Sequence, residues 1–234
     1  MILYGNLEQV RKDVAAYNRN VKDVATCGHD IVLIAACKTQ TKETVDELMS
    51  CAPDFVLGEN RVQELTAKYD SRYDWHFIGQ LQTNKVKYII DKVSLIHSLD
   101  RLELAKEIEK QAAKHGKVQS CLVEVNMGSE LSKGGVAPED AIDFIRSLKD
   151  FGHIKVEGIM SVLPNLGDTE ELHSLYEKLY ALYESAKELT QSNVDIKYLS
   201  AGMSGDYKIA LAHGANMIRL GRIIFGERPA VLQQ

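Results

Sequence analysis

Eight short apolar runs alternate with segments of helical periodicity along this chain of 234 residues. The runs cover residues 31–37, 54–58, 75–78, 94–97, 120–126, 155–160, 196–199 and 216–220. Strands that alternate with helices predict a parallel sheet, and eight strands are the number that closes a barrel. An open doubly wound sheet is the competing architecture, but the GxGxxG fingerprint that usually follows its first strand is absent here. The sequence therefore predicts an α/β fold, a single (β/α)8 TIM barrel.

The segments between the runs have the apolar spacing of helices and recognisable helix starts. Thr41 is placed to cap a helix after the first run, and Asp100 with Glu103 forms a capping-box-like start after the fourth. Pro138 suits a first helical turn, and residues 169–190 place leucines on one stripe. These signals predict helices between successive strands.

Only a short tail follows the eighth run, and we expect it to be too short for a full closing helix. An amphipathic stripe near the N-terminus is formed by Leu7, Val10, Val14, Tyr17, Val21 and Val24. We expect this N-terminal helix, at about residues 3–25, to cover the gap beside a barrel at about residues 30–226. With 4 prolines and no long Pro/Gly/Ser-rich linker, residues 1–234 are predicted to form one domain.

Composition excludes several classes of protein. The net charge of -5 and scattered basic residues argue against binding of nucleic acid. No apolar run approaches the ~20 residues that span a bilayer, and the first residues do not form a secretory signal. The 4 cysteines form no CxxC pair, which argues against structural zinc. A reduced, cytoplasmic protein is the expectation.

Lys38 directly follows the most continuous apolar run, residues 31–37. Barrel active sites lie at the carboxyl ends of the strands, and only this predicted strand end offers an amine. Loss of solvation at the edge of an apolar core favours the neutral amine, the form that attacks an aldehyde. The alternative is a solvated lysine that opens a loop, with Thr39 and Thr41 as helix caps.

The ends of the last two runs are typical of an anion site. Ser200, Gly202 and Ser204 follow the seventh run, and Gly221 with Arg222 follows the eighth. Phosphate sites in barrels recur at these two loops, where backbone N–H groups point at the ligand. Ordinary turn chemistry with a serine helix cap is the alternative.

Arg219 lies within the apolar eighth run, where an unpaired guanidinium costs several kcal/mol or more. Its acceptor is either a carboxylate at the barrel floor or an atom of a cofactor. Among the histidines, His76 between Trp75 and Phe77 reads as a core residue. The others do not have the spacing of metal ligands: His97, His115, His153, His173 and His213.

Six segments carry a resemblance to a known family. They are Ala36-Cys37-Lys38-Thr39, Gly58-Glu59-Asn60-Arg61-Val62-Gln63-Glu64, His76 through Lys85, Ser132-Lys133-Gly134-Gly135, Leu199-Ser200-Ala201-Gly202-Met203-Ser204 and Ile218 through Gly226. In this order they resemble the motifs of the pyridoxal phosphate homeostasis protein family. The resemblance covers nearly the whole chain and implies a barrel like the N-terminal domain of alanine racemase.

The resemblance also implies a cofactor, pyridoxal 5′-phosphate (PLP), held as an aldimine on Lys38. Asn60 would belong to the same site. The residues that would hold the phosphate are Ser200, Ser204, Gly221 and Arg222, and Arg219 would face the pyridine nitrogen. Cys37 stands where serine is usual in the family, and Arg222 stands where threonine is common. The resemblance therefore implies a phosphate contact from the backbone of Arg222 and not from its side chain.

The family's role is control of free PLP, and PLP-dependent apo-enzymes are possible partners. An arginine at the pyridine nitrogen keeps that nitrogen unprotonated, which makes the ring a poorer electron sink. Racemisation also needs an acid/base group on the second face of the substrate. The alternative function is a PLP-dependent, racemase-like enzyme that borrows this group from a partner chain.

Overall fold

The computed structural model of this chain describes residues 2–20, 31–128 and 134–226. Eight parallel strands pair in chain order, and the first also pairs with the last, so the sheet is a closed barrel. The strands are β1 (Val32–Ala36), β2 (Val56–Glu59), β3 (Trp75–Phe77), β4 (Leu95–Leu99), β5 (Gln119–Glu124), β6 (Ile154–Met160), β7 (Val194–Met203) and β8 (Met217–Leu220). Each lies on one of the eight apolar runs, which confirms the predicted (β/α)8 barrel.

Helices follow the strands on the outside of the barrel. They are α1 (Tyr4–Asn20), α2 (Lys42–Cys51), α3 (Val62–Lys68), α4 (Leu102–Lys114), α5 (Ala141–Ser147), α6 (Glu170–Lys187), α7 (Tyr207–Ala212) and α8 (Arg222–Phe225), with 3₁₀ turns at Thr83–Tyr88 and Pro138–Asp140. The Thr41 cap is confirmed, because its side chain accepts from Thr44 N. The Asp100 cap is wrong: α4 begins after Arg101, and the Asp100 carboxylate pairs with that arginine.

The apolar core has two layers, as expected for a barrel wrapped by helices. The larger layer lies between the strands and the surrounding helices, where Trp75, Tyr176 and Tyr183 are among the largest buried side chains. A smaller cluster fills the inside of the barrel and includes Ile34, Ala36, Ile78, Leu95, Leu122, Met160 and Met217. Burial of this surface, at about 25 cal/mol per Å² of apolar area, is the main term that stabilises the fold.

The N-terminal helix α1 packs against the short C-terminal helices. Leu7 and Val10 are buried, Leu3 N donates to Ile224 O at 2.8 Å, and Tyr207 OH donates to Asp13 at 2.6 Å. The helix therefore contacts the region around α8, the last helix of the described residues. It is described as far as Asn20, and the predicted stripe positions 21 and 24 lie outside the described residues.

The structure also bears on the expectations about membrane spans and cysteines. None of the helices in the described ranges is both long and apolar enough to cross a bilayer. Cys37, Cys51 and Cys121 are free thiols, and Cys27 lies outside the described residues.

Candidate functional site

A cavity of about 330 Å³ opens at the carboxyl ends of the strands. Most of its wall comes from the loops after β1, β6, β7 and β8, and Asn60 after β2 and Ile78 after β3 complete it. Six of the seven residues predicted for the site line it: Lys38, Asn60, Ser204, Arg219, Gly221 and Arg222. The seventh, Ser200, does not. The barrel thus brings together side chains from both ends of the sequence.

Lys38 sits half-buried in a tight turn directly after β1. Cys37 N donates to Gly58 O at 2.8 Å, and Gln40 N donates back to Cys37 O at 3.0 Å. Thr39 has a φ of 66°, a left-handed conformation that costs energy for a residue other than glycine. Glu64 holds this conformation by accepting from Thr39 N at 2.7 Å. The turn fixes where the Lys38 side chain enters the cavity.

A buried ion pair supports the same turn from below. Lys68 Nζ lies 2.5 Å from Glu59 Oε1 and donates to Cys37 O at 2.7 Å and to Gln40 O at 2.9 Å. The second Glu59 oxygen accepts from Asn60 N at 2.9 Å. Sequence reasoning missed Lys68. Its position three residues after Leu65, on the buried side of α3, was the available signal.

Cys37 has no part in the cavity. Its side chain is fully buried, packs in the layer between strands and helices, and donates to Ala35 O at 3.2 Å. Burial, with Glu59 as a smaller cause, raises the pKa of the Cys37 thiol to about 12. Cys37 is therefore a packing residue in the thiol form.

The loops after β7 and β8 converge on the Ser204 hydroxyl. Its oxygen accepts from Gly221 N and from Ile223 N, each at 3.2 Å. Gly202, with a φ of 89°, allows the chain to turn here, because a Cβ would lie 2.5 Å from Ala210 Cβ. Ser204, Gly221 and Arg222 all line the cavity here, and this combination of a hydroxyl, a small residue and a cationic residue suits an anion.

Asp206 braces the Ser204 loop. One carboxylate oxygen accepts from Met203 N at 2.7 Å, and the other accepts from Tyr176 OH at 2.6 Å. Asp206 lines the cavity, but each of its carboxylate oxygens already accepts a hydrogen bond from the protein.

Arg219 is buried, with 4% of its surface exposed. It donates to Ser200 O at 2.9 Å, to Ser200 Oγ at 2.6 Å and to Ser161 O at 2.8 Å. None of the ion pairs in the described part of the chain involves it, so the carboxylate expected as one alternative is not found there. These bonds use three of the five N–H donors of a guanidinium.

Ser200 differs from its predicted position. The strand β7 continues to Met203, so Ser200 lies inside it and points into the barrel interior. Its hydroxyl contacts Arg219 and lies 3.1 Å from His97 Nδ1. The residue is fully buried and does not line the cavity. Its contact is with the arginine, and Ser204 is the serine at which the loops after β7 and β8 meet.

Asn60 presents an unsatisfied polar group. Its backbone is fixed by Glu59 and by Gly79, where a Cβ would lie 2.4 Å from Asn60 O. Its side-chain oxygen is buried and has no hydrogen-bond partner among the described residues. A buried amide oxygen normally accepts a hydrogen bond, so this one suits a hydrogen-bond donor of a ligand in the cavity.

Glu124, at the end of β5, is a titratable group whose charge is suppressed. Burial, and to a smaller extent the nearby Asp100, raises the pKa of Glu124 from 4.5 to about 7, while Arg219 acts in the opposite direction. Its Oε2 has no partner within the described ranges. Because the folded pKa lies above the unfolded one, this group favours folding fully below about pH 4.5 and loses that contribution as pH rises through about 7.

We expect Glu124→Gln to flatten this part of the stability profile. The variant should gain stability relative to the wild type as pH rises from about 4.5 to about 8, because no buried carboxylate has to ionise. Urea unfolding at several pH values measures the difference. A difference that stays constant across this pH range would contradict the raised pKa.

The sequence and the fold of this chain are both similar to those of known proteins. The family model for the N-terminal domain of alanine racemase matches residues 13–229. A pyridoxal phosphate homeostasis protein of Aquifex aeolicus is 44% identical over 200 residues, covering 84% of this chain and 86% of that protein. The structure of PipY from Synechococcus elongatus with PLP bound has a TM-score of 0.73 at 25% identity, covering 91% of this chain and 100% of that one. Alanine racemase of Clostridium difficile shares the fold, with a TM-score of 0.70 at 17% identity over 94% of this chain and 57% of that one.

Proposed function

Because this chain belongs to the pyridoxal phosphate homeostasis protein family, we propose that it binds PLP in the cavity and controls the level of free cofactor in the cytoplasm. One observation carries the proposal. A lysine amine, a buried guanidinium and a cluster of anion-binding groups line the same cavity. An aldehyde, a ring nitrogen and a phosphate on one small molecule match these three features.

Each part of the cofactor has a proposed partner. Lys38 Nζ holds the cofactor covalently, since PLP supplies an aldehyde that a neutral amine attacks. Ser204, Gly221 and Arg222 hold the phosphate, and the remaining N–H donors of Arg219 face the ring nitrogen. Asn60, whose buried amide oxygen has no partner in the described part of the chain, contacts a polar substituent of the ring.

The same cavity supports a binding role over racemase-like catalysis. Arg219 gives up no proton in proteins, so the ring nitrogen that it faces stays unprotonated. Asp206 is the single carboxylate among the described residues that line the cavity, and both of its oxygens accept hydrogen bonds. A second acid/base group opposite Lys38 is therefore not offered by this part of the chain.

Titration of the purified protein with PLP and with pyridoxal tests the proposal. PLP should produce a new visible absorption band, and pyridoxal should bind far more weakly because it lacks the phosphate. Equal affinities would contradict the assignment of the anion-binding loops. Transfer of PLP from the loaded protein to an apo-enzyme, compared with its release to a free trapping amine, tests for a recipient.

Assays with common amino acids separate the two functions. We expect no racemase, transaminase or decarboxylase turnover above that of free PLP, because general acid–base help worth about 10²–10⁴-fold per group is missing. Robust turnover by the pure protein that is lost in Lys38→Ala would contradict the binding role and favour the racemase-like enzyme.

Ser204→Ala should weaken PLP retention by roughly 1–3 kcal/mol, the contribution of a hydrogen bond to a charged group. Equilibrium dialysis of the wild type and the variant measures the change. Ser185→Ala, on the exposed face of α6, should leave retention unchanged. Equal retention in Ser204→Ala and the wild type would place the phosphate elsewhere.

A further inference from the structure

A line of four polar side chains crosses the interior of the barrel. Arg219 Nη1 donates to Ser200 Oγ at 2.6 Å, Ser200 Oγ lies 3.1 Å from His97 Nδ1, and His97 Nε2 lies 3.1 Å from His76 Nδ1. All four are at least 94% buried, since the most exposed of them, His76, has 6% of its surface exposed. At the far end, His76 Nε2 is 3.7 Å from the half-exposed Asp74 carboxylate.

This chain of polar groups occupies space that barrels normally fill with apolar side chains. His76, His97 and Arg219 lie on the same sides of their strands as Ile78, Leu95 and Met217, which belong to the apolar interior cluster. Burial of polar groups costs free energy unless every one is hydrogen-bonded. Packing alone therefore does not explain why polar side chains occupy the barrel interior.

Arginine sets the direction of every bond in the chain, because a guanidinium only donates. Ser200 Oγ accepts from Arg219, so its own hydrogen is available to His97 Nδ1. A neutral His97 then carries its proton on Nε2 and donates to His76 Nδ1, and His76 carries its proton on Nε2, toward Asp74. If His97 Nδ1 instead carried the proton and donated to Ser200 Oγ, the Ser200 hydrogen would have no acceptor among the described residues.

Both histidines are neutral near pH 7. Burial lowers the pKa of His76 to about 4, although the facing carboxylates Asp74 and Glu157 act to raise it. Burial, then His76 and Arg219, holds the pKa of His97 well below its usual range. His76, His97 and Ser200 are therefore all uncharged, and the guanidinium of Arg219 is the one charged group in this line of hydrogen bonds.

A neutral chain has a different effect on Arg219 from that of a carboxylate. An ion pair would fix the guanidinium but compensate its charge, whereas aligned neutral dipoles fix it and leave the positive charge directed at the cavity. Three donors are bound to neutral oxygens, and the other two remain for a ligand acceptor.

We propose that His76, His97 and Ser200 are positioning residues for Arg219, which orient its free donors toward the ring nitrogen of the bound cofactor. The inference rests on the proposed function, since it concerns recognition of the PLP ring. It assigns a role to two histidines from β3 and β4 that do not line the cavity.

Nitrogen-15 NMR of the cofactor-free wild-type protein tests the chain directly. His97 and His76 should both carry the proton on Nε2, with Nδ1 unprotonated, and neither should titrate from about pH 6 to about pH 8. In Ser200→Ala, His97 should lose the hydrogen bond at Nδ1 and its Nδ1 signal should move. A protonated Nδ1 on His97 in the wild type would overturn the proposed direction.

Ligand discrimination supplies the second measurement. Ser200→Ala should weaken binding of PLP by about tenfold and leave binding of a carbocyclic analogue, in which C–H replaces the ring nitrogen, nearly unchanged. Ser161→Ala is the matched control. It removes a buried hydroxyl that donates to Val125 O at 2.8 Å, while its carbonyl still accepts from Arg219.

An equal loss for both ligands in Ser200→Ala, or the same discrimination in Ser161→Ala, would overturn the positioning role. If neither ligand bound the wild type, the proposed function would fail instead, and the histidine tautomers would still decide whether the chain exists as argued.

Discussion

Borohydride reduction of the PLP-loaded protein is expected to fix the cofactor to a single peptide, the one that contains Lys38. Borohydride adds hydride to a carbon–nitrogen double bond and leaves a stable secondary amine, whereas a non-covalently bound aldehyde is not attached in this way. Lys38 lines the cavity and lies in a turn held by Gly58 and Glu64. Peptide mapping by mass spectrometry should therefore place the added mass on Lys38.

Lys38→Ala should abolish the fixed label and the visible absorption of the attached cofactor. It should retain some PLP, because the phosphate contacts proposed for Ser204 and Gly221 remain. Lys208→Ala is the control, since Lys208 is exposed and pairs with Asp13, and its labelling should match that of the wild type. Label on Lys133 or Lys208 in the wild type would contradict the assignment of the site.

The strands and their order could be predicted because strands buried on both faces read as continuous apolar runs. The predicted run 31–37 corresponds to β1 at Val32–Ala36, and 216–220 corresponds to β8 at Met217–Leu220. Barrel geometry then places Lys38 and the end of β8 at the same opening. The candidate site followed largely from this single architectural inference.

Side-chain direction at the strand ends could not be predicted in the same way. The run 196–199 predicts that Ser200 begins a loop, but β7 extends to Met203 and its pairing with β8 shifts register between Ser200 and Met203. Such irregularities change which side chains face the interior. This is why Ser200 contacts Arg219 inside the barrel and not the anion-binding loop.

Residues whose partners are distant in sequence were also missed. His97 and Ser200 are 103 residues apart, and Lys68 reaches a carbonyl 31 residues away. A single histidine in an apolar strand reads as a core residue until its neighbour across the barrel is known. The supports of Lys38 and Arg219 therefore emerge only from the tertiary structure.

The site also illustrates how one barrel serves different functions. In this chain the barrel carries Lys38 after β1 and Ser204 and Gly221 after β7 and β8, all of them lining one cavity. Catalysis on an amino acid would require a further acid/base group on the opposite face. Asp206, the candidate nearest to this role in the described part of the cavity, is instead bonded to Met203 and Tyr176.

Lys68→Met is expected to destabilise the protein by about 3–5 kcal/mol, because it leaves a buried carboxylate without its partner. Glu59 is fully buried, and burial already raises its pKa despite the opposing effect of Lys68. The variant also removes the donor to Cys37 O and Gln40 O, so PLP retention through Lys38 should fall. Urea unfolding and equilibrium dialysis measure the two effects.

The sign of the pH dependence identifies Glu59 as the cause. Without Lys68 the pKa of Glu59 in the folded protein rises further. The stability that Lys68→Met loses relative to the wild type should therefore be largest at high pH and shrink as Glu59 takes up a proton. Glu59→Gln added to Lys68→Met should recover part of the stability, because an amide replaces the unpaired carboxylate. Lys42→Met is the matched control: Lys42 also forms ion pairs, with Asp46 and Asp70, but at the surface, where ion pairs contribute little. If Lys68→Met were no more destabilising than Lys42→Met, the buried pair would not be what holds the Lys38 turn.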